Sequence, residues 1–255
     1  SCKVDAYVDD GQPTRYKCIG WTGTGDVPAS GDTNDTGSIW LTQDSSITWQ
    51  WQTQHKVTVS VNDAAMGAAT ITNVQSGQRD GDYIDEGATV EITATASAGA
   101  VFDHWEVNGV SVGSDNPLTT TVNEPTDVVA HFRTAAMPTA DFTWSPEKPL
   151  VGEFVQFTDI STGDITSWEW DFNGDTTVDS TEQNPTYTYT STGVYTVTLT
   201  VTGPAGSDSK WYTVVVYDGN IYVDDTGSDS NYGTSWSDAV RTIQRGIDLS
   251  DPSQN

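Results

Sequence analysis

Apolar and polar residues alternate along much of this chain, in short runs separated by turns rich in Gly, Asp, Asn and Pro. Val90–Ala94 reads Val-Glu-Ile-Thr-Ala, and Tyr195–Val201 keeps the same period of two over a longer run. Because successive side chains of a β-strand point to opposite faces, each run predicts a strand with one buried face. The sequence therefore predicts an all-β fold built from tandem small β-domains.

The order of these runs divides the chain into segments. The strand and loop order around Trp21 returns around Trp105, which predicts two copies of a repeat. A linker is predicted at Thr134–Pro138, and about seven short strands at regular spacing follow it, as in an immunoglobulin-like β-sandwich. We expect domains at residues 1–54, 55–134, 138–217 and 220–255.

The first half of the chain resembles the bacterial surface repeats related to internalin-type B repeats. The residues that carry the resemblance are Gly87–Ala94, Phe102–Trp105 and Asn108-Gly109. It implies that residues 55–134 form one complete repeat and that residues 1–54 form a partial copy.

Residues 138–217 resemble a polycystic kidney disease (PKD) domain. The resemblance is carried by Trp-Glu-Trp-Asp-Phe at 168–172, Asn-Pro-Thr-Tyr at 184–187 and the alternating run 193–201. The sequence departs from the usual Trp-Asp-Phe-Gly-Asp-Gly of that family by inserting Asn173, which lengthens the turn. The resemblance implies an immunoglobulin-like sandwich with the two tryptophans of the first string in its core.

The last segment, 220–255, predicts one C-terminal amphipathic helix. Ser235 precedes Asp238 by three residues as in a capping box, and an apolar stripe follows at helical spacing, formed by Trp236, Val240, Ile243 and Ile247. The segment resembles the opening of bacterial right-handed parallel β-helix proteins. That resemblance implies the N-terminal cap of a truncated solenoid.

Charge narrows the range of partners. There are 36 acidic residues against 10 basic ones, a formal net charge of −26. Such a field repels nucleic acid and anionic lipid, so we expect neither as a partner. No run approaches the roughly 18 apolar residues of a membrane helix, so no membrane span is expected. No signal peptide opens the chain and its first residues already alternate, so we expect a segment of a longer precursor.

A calcium loop is predicted directly after the Trp-Glu-Trp-Asp-Phe strand. Oxygen-bearing side chains occupy positions 1, 3, 5, 7, 9 and 12 of a twelve-residue loop, which is the ligand spacing of a calcium loop. These residues are Asp171, Asn173, Asp175, Thr177, Asp179 and Glu182. Position 6 is Thr176 instead of glycine, so the sharp turn there costs more. The alternative is an ordinary polar loop whose carboxylates accept backbone hydrogen bonds.

Cys2 and Cys18 are the two cysteines of the chain. They lie on what the pattern predicts as neighbouring strands joined by a polar turn, so a disulfide between them is expected, worth about 3 kcal/mol in the chain-entropy model. The alternative is two buried free thiols. The disulfide fits an oxidising, extracellular setting.

Residue chemistry gives no catalytic site. Three histidines are present, and no nucleophile elbow, HExxH helix, CxxC pair or phosphate loop occurs. We therefore expect a segment that is not an enzyme. Tryptophans are the remaining candidates for recognition, because aromatic side chains bind sugar rings. Most are expected in cores, whereas Trp40 and Trp211 are candidates for exposure.

The function that follows is a non-catalytic adhesion or scaffolding segment of a large bacterial surface or secreted protein, extracellular or at the cell surface. The alternative is an accessory polysaccharide-binding region of a secreted β-helix enzyme. The expected partners are an extracellular polysaccharide or another surface protein.

Overall fold

The computed structural model describes residues 1–9, 11–242 and 245–246 of the chain. It divides into two compact units, residues 1–134 and residues 135–255. Both units are built from β-strands, which confirms the all-β prediction. In the described residues no helix has the length and apolar character needed to cross a membrane.

The first unit contains twelve strands within its described residues. In chain order they are β1 Tyr7–Val8, β2 Thr14–Thr24, β3 Ser30–Gly31, β4 Ser46–Val61, β5 Gly67–Gln75, β6 Arg79–Asp80, β7 Tyr83–Asp85, β8 Thr89–Ala96, β9 Ala100–Val107, β10 Val110–Gly113, β11 Leu118–Thr121 and β12 Thr126–Thr134.

These strands form two sheets. The larger has nine strands, with the path β1-β2-β4-β12-β9-β10 and with β3, β6 and β7 attached at its sides. The smaller sheet has the order β11-β8-β5. The pairing of β4 with β12 is parallel, from Thr126 opposite Val57 to Ala130 opposite Val61. Between β4 and β12 the chain passes through both sheets, with β5, β8 and β11 in the smaller one and β6, β7, β9 and β10 in the larger one.

Strand β4 runs through the boundary placed between residues 54 and 55. Its first part pairs with β2, from Ser46 opposite Thr24 to His55 opposite Thr14, and its last part pairs with β12. At the boundary itself, Gln54 is fully buried and donates a hydrogen bond to Asp85 Oδ1 at 2.8 Å. Residues 1–54 and 55–134 thus share one continuous strand within a single compact unit.

The core of the first unit lies between its two sheets. In β8 the buried residues Val90, Ile92 and Ala94 alternate with less buried polar ones, as the sequence pattern predicts. Trp105 of β9 is fully buried against them, and its indole N–H donates to the Asp115 carbonyl at 3.0 Å. Burial of the indole with its one donor satisfied fixes the larger sheet over the smaller one.

The second unit contains six strands within its described residues. They are β13 Phe142–Ser145, β14 Phe154–Asp159, β15 Ser167–Asp171, β16 Thr186–Thr188, β17 Gly193–Gly203 and β18 Gly206–Val216.

These six strands make two three-stranded sheets, β13-β14-β16 and β15-β17-β18. Pairing within both sheets is antiparallel. Side chains from both sheets meet in one core, whose largest members are Phe142, Phe157, Trp170 and Phe172. This is the immunoglobulin-like sandwich that the sequence predicts.

The expected disulfide between Cys2 and Cys18 is not formed in the structure, where both thiols are free. Cys18 N donates to the Ala6 carbonyl at 2.9 Å, so Ala6 and not Cys2 lies across from Cys18. Cys2 instead lies beside Thr36, whose amide donates to the Cys2 carbonyl at 3.0 Å. The start of the chain therefore pairs with the loop around residue 35, which carries Cys2 away from β2.

The predicted amphipathic helix from Ser235 is not supported. The structure has a 3-10 turn, Trp236–Asp238, and Ser235 makes no side-chain capping bond to it. Asp238 instead accepts hydrogen bonds from the Thr234 amide and hydroxyl. Val240 is fully buried and pairs in parallel with Val223, so its backbone is extended there. Ile243 and Ile247, the other members of the predicted stripe, lie outside the described residues.

Candidate functional site

The acidic loop, residues 171–182, begins where β15 ends. Trp170 and Phe172 flank its first residue and are buried in the sandwich core. The Trp170 indole N–H donates to the Glu182 carbonyl at 2.9 Å, and the Trp170 backbone pairs with Ser180. Both ends of the loop are therefore fixed to the same buried tryptophan.

Asp171 organises the first turn of the acidic loop through its side chain. Its Oδ1 accepts hydrogen bonds from the amides of Asn173 at 3.1 Å and Gly174 at 2.7 Å. Its Oδ2 accepts from the amide of Thr176 at 2.8 Å. A carboxylate that accepts several backbone N–H groups fixes the turn around it, because each bond is charge-assisted.

The next polar side chains of the loop, Asn173 and Asp175, each accept one hydrogen bond from a backbone amide two residues further along the chain. Asn173 Oδ1 accepts from the Asp175 amide, and Asp175 Oδ1 accepts from the Thr177 amide, both at 2.8 Å. The hydrogen bonds from Thr177 lower the pKa of Asp175 below its ordinary value. Asp179 Oδ2 accepts from the Phe172 amide at 2.8 Å, which ties the second half of the loop to the core.

The six predicted calcium ligands therefore lie on one loop, and several of them already bond to its backbone. Thr176, at position 6, has a left-handed backbone with φ of +70°, so the chain makes the sharp turn without glycine. Glu182 is exposed. Across the described ranges, no group of three or more His, Cys, Asp or Glu side chains is arranged to hold a metal ion. Calcium stays a prediction for this loop.

A shallow groove of about 230 Å³ lies beside the acidic loop, on the outer face of the β15-β17-β18 sheet. The strands contribute Glu169, Thr198 and Thr200 to its lining, and the loop contributes residues 176–178. The sequence analysis did not single out these strand residues. The polar positions of the period-two run in β17 are the signal that could have located them, because they mark its solvent face.

Asp159, at the end of β14, was also missed from the sequence. Its carboxylate accepts from the Trp168 indole at 2.7 Å, the Gln183 amide group at 3.0 Å and the Ser161 amide at 2.9 Å. Burial alone would raise the pKa of this carboxyl, but hydrogen bonds from Ser161, Gln183 and Trp168 outweigh it and lower the pKa. Asp159 thus joins three separate segments of the sandwich.

The exposure of the tryptophans agrees with the sequence analysis at the positions that matter for recognition. Trp170 is fully buried, and Trp168 packs partly buried against the same core. Trp40 is 90% exposed and Trp211 is 63% exposed, which confirms both as surface residues. Trp51, expected in a core, is 38% exposed at the edge of a ribbon formed by β2 and β4.

Comparisons with solved structures give matches over about a third of the chain. The PKD1 domain of the Vibrio cholerae metalloprotease PrtV is 39% identical, over 31% of this chain and 96% of that chain, with a TM-score of 0.27. A structure of carbohydrate-binding modules from the β-sandwich superfamily is 35% identical, over 34% of this chain and 36% of that chain, with a TM-score of 0.31.

Curated relatives match a short part of their own length. Collagenase ColA of Bacillus cereus is 42% identical over 74 residues, which are 28% of this chain and 8% of the collagenase. The pre-pro-metalloprotease PrtV of Vibrio cholerae serotype O1 is 40% identical over 93 residues, which are 34% of this chain and 10% of PrtV. The shared segment is a small part of each protease.

Two family models match separate parts of the chain. Residues 57–136 match the Divergent InlB B-repeat domain, and residues 141–216 match the PKD domain. Both resemblances proposed from the sequence are confirmed over these ranges. A PKD domain is a non-catalytic immunoglobulin-like module, even where the complete relative is a protease.

Proposed function

We propose that this segment is a non-catalytic extracellular accessory region that acts as a spacer and scaffold, joining or displaying other parts of a larger protein. The observation that carries the proposal is the arrangement of two β-units, each with its own hydrophobic core and each matching a repeat or sandwich module. Matches to short segments of a collagenase and a pre-pro-metalloprotease support an extracellular accessory role.

The ends of the PKD-like sandwich support a load-bearing role. Val151 N donates to the Tyr217 carbonyl at 2.8 Å, and Tyr217 N donates to the Pro149 carbonyl at 3.0 Å. This pairing is parallel and joins an early segment of the sandwich to the end of its last strand. Tension applied at residues 138 and 217 pulls parallel-paired segments in opposite directions, so their hydrogen bonds are loaded in shear and break together.

Single-molecule force extension of the whole chain tests the proposal. We expect one unfolding event for each unit, with length gains of roughly 3.3–3.6 Å for each residue released. Trp105→Ala should remove the event of the first unit and Trp170→Ala that of the second, because each indole is fully buried in one core. A chain that extends smoothly without discrete events would contradict a load-bearing spacer.

Calcium binding by the acidic loop is part of this proposal. The oxygen spacing of residues 171–182 and the left-handed backbone of Thr176 at position 6 support it. A bound cation would stiffen the loop by joining carboxylates that otherwise repel one another. Calcium at a concentration well above its dissociation constant should raise the melting temperature, whereas magnesium and the Asp175→Asn variant serve as controls. An unchanged melting temperature and no heat of binding would remove calcium from the account.

The alternative function, binding of a polysaccharide, requires an exposed surface that can contact sugar rings, and the fold by itself does not provide one. Trp211 favours it, because a large aromatic side chain stands 63% exposed on a sheet face. The start of a parallel β-helix within residues 220–255 belongs to the same alternative and is supported by the parallel bridge between Val223 and Val240. An experimental structure in which Val223 and Val240 do not pair in parallel would contradict it.

A further inference from the structure

The outer face of the β15-β17-β18 sheet is mostly polar, with one large aromatic residue, Trp211. Across the strands, Asp171 pairs with Thr198, and Thr198 pairs with Trp211. One row further along, Glu169 pairs with Thr200, and Thr200 pairs with Ser209. Directly opposed residues share a face of the sheet. Trp211 therefore lies beside Thr198 and Thr200, and diagonally across the sheet from Glu169.

Trp211 has no structural partner that explains its position. In the described parts of the chain its indole N–H has no hydrogen bond and its ring has no aromatic contact. By contrast, Trp170 on the inner face lies 5.0 Å from the Phe142 ring and is fully buried. The Trp211 ring is therefore free to stack on a ligand, and unlike Trp40, which lies outside any strand, it stands beside a row of hydroxyl groups on a sheet.

Glu169 supplies polar chemistry to the same face. It is exposed, and within the described residues it has neither a hydrogen bond nor an ion pair. Strands lie about 4.8 Å apart, so Glu169 and Trp211, on the first and third strands of the sheet, are separated by roughly 10 Å across it. The hydroxyls of Thr198 and Thr200 lie between them.

The acidic loop forms the wall of this face and is held in place before any ligand arrives. Residues 176–178 line the groove opposite Thr198 and Thr200, and Trp211 lies outside this lining, next to Thr198 on the neighbouring strand. Three backbone bonds to Asp171 and one to Asp175 fix the loop through residue 177. A preformed groove binds without the cost of ordering its wall.

The chemistry of the surface selects a neutral sugar polymer. The apolar C–H face of a pyranose stacks on an indole, while threonine hydroxyls and a free carboxylate bond to the sugar hydroxyls along the groove. An anionic polymer would meet a chain with a net charge of −26 and would be repelled. The roughly 10 Å between Glu169 and Trp211 also suits an extended chain of sugars better than a single small ligand.

We propose that the outer face formed by Trp211, Thr198, Thr200 and Glu169 binds a neutral polysaccharide, with the sugar stacked on Trp211. The proposal rests on the polysaccharide-binding alternative and names its surface. It is independent of the spacer role, because neither Trp211 nor Glu169 belongs to the sandwich core.

Affinity electrophoresis and pull-down of the whole chain test this site. The probes are hydroxyethyl cellulose, insoluble cellulose and chitin, with polygalacturonate as the anionic polymer and fibrillar collagen as a protein polymer. We expect binding to at least one neutral glycan and none to polygalacturonate. Trp211→Ala should weaken binding by about tenfold or more, as loss of a central aromatic contact does.

Matched variants distinguish binding at this site from nonspecific binding to the polymers. Trp40→Ala removes an even more exposed tryptophan from the first unit and should leave glycan binding unchanged. Glu169→Gln keeps the stacking residue and should weaken binding less than Trp211→Ala. Binding to none of the neutral glycans, binding retained in Trp211→Ala, or binding to collagen alone would each overturn the proposal. The two unfolding events under force should persist in Trp211→Ala, so loss of the glycan site and failure of the spacer role are distinguishable.

Discussion

The two faces of the β15-β17-β18 sheet use the same strands for opposite purposes. Trp170, Leu199 and Val214 face inward and are fully buried, whereas the outward positions carry mainly threonines and serines, with Glu169, Val194 and one tryptophan. Trp170 and Trp211 are the same residue type in the same sheet, and they are 0% and 63% exposed. The comparison shows that residue type alone does not separate buried from exposed tryptophans, whereas the face of the strand does.

The largest expected difference is between the two tryptophans themselves. Trp170→Ala should lower the free energy of unfolding of the sandwich by about 3–5 kcal/mol, because it leaves a cavity and an unpaired Glu182 carbonyl. Trp211→Ala should change it by no more than about 0.5 kcal/mol. Denaturant unfolding measures both. If Trp170→Ala does not fold, the milder Trp170→Phe should still destabilise more than Trp211→Ala, and the reverse order would contradict the assignment of faces.

Asp159→Asn should destabilise the sandwich by about 1–3 kcal/mol, because the carboxylate accepts bonds from Trp168, Gln183 and Ser161. The pKa of Asp159 is lowered in the folded state, so its contribution is full above its ordinary value of 3.8 and is lost as the pH falls below it. Unfolding curves from pH 6 to pH 3 should therefore fall more steeply for the natural chain than for the variant. If stability falls with pH equally in the natural chain and the variant, Asp159 does not contribute to the loss of stability in acid.

Tyr189→Phe should cost about 1 kcal/mol. The Tyr189 hydroxyl donates to the Phe172 carbonyl at 3.1 Å in the buried core. Tyr195→Phe is the matched control, because its hydroxyl donates to the Ser191 carbonyl at an exposed position, where water can replace it. Thermal unfolding should separate the two variants, and equal effects would mean that burial of the Tyr189 bond contributes nothing.

The smallest effect is expected in the wall of the outer face. Thr176→Gly should raise the free energy of unfolding by up to about 1 kcal/mol, since glycine adopts a φ of +70° without the penalty that threonine bears. Thr177→Gly, next in the chain and without a positive φ, should instead lower it. Denaturant midpoints provide the comparison, and destabilisation by Thr176→Gly would show that the threonine side chain has a packing role.

Local pattern predicted much of this structure. The period of two in Val90–Ala94 and Tyr195–Val201 located buried strands, because one face of each sheet covers a core. The same reasoning identified Trp40 and Trp211 as candidates for exposure. Within residues 138–217, the sandwich was predicted from short alternating runs, and the core position of Trp170 from the resemblance to a PKD domain.

Long-range pairing was not accessible from the same pattern. Cys18 lies across from Ala6 because β1 and β2 pair in a register that the turn between them sets, and no residue type reveals that register. Val240 satisfied a helical period, yet its parallel pairing with Val223 made the backbone extended. The groove beside the acidic loop was missed because a surface appears only after distant strands are placed side by side.

Strand β4 has a consequence for how this segment can be recombined. The first part of this 16-residue strand pairs with β2 and its last part pairs with β12, without an interruption between them. An exchange of modules by cutting near residue 54 would separate Gln54 from Asp85 and Arg15 from Asp80, which are bonded to each other across this boundary. A block of residues 1–134 that is transferred whole keeps these contacts together with the uninterrupted strand.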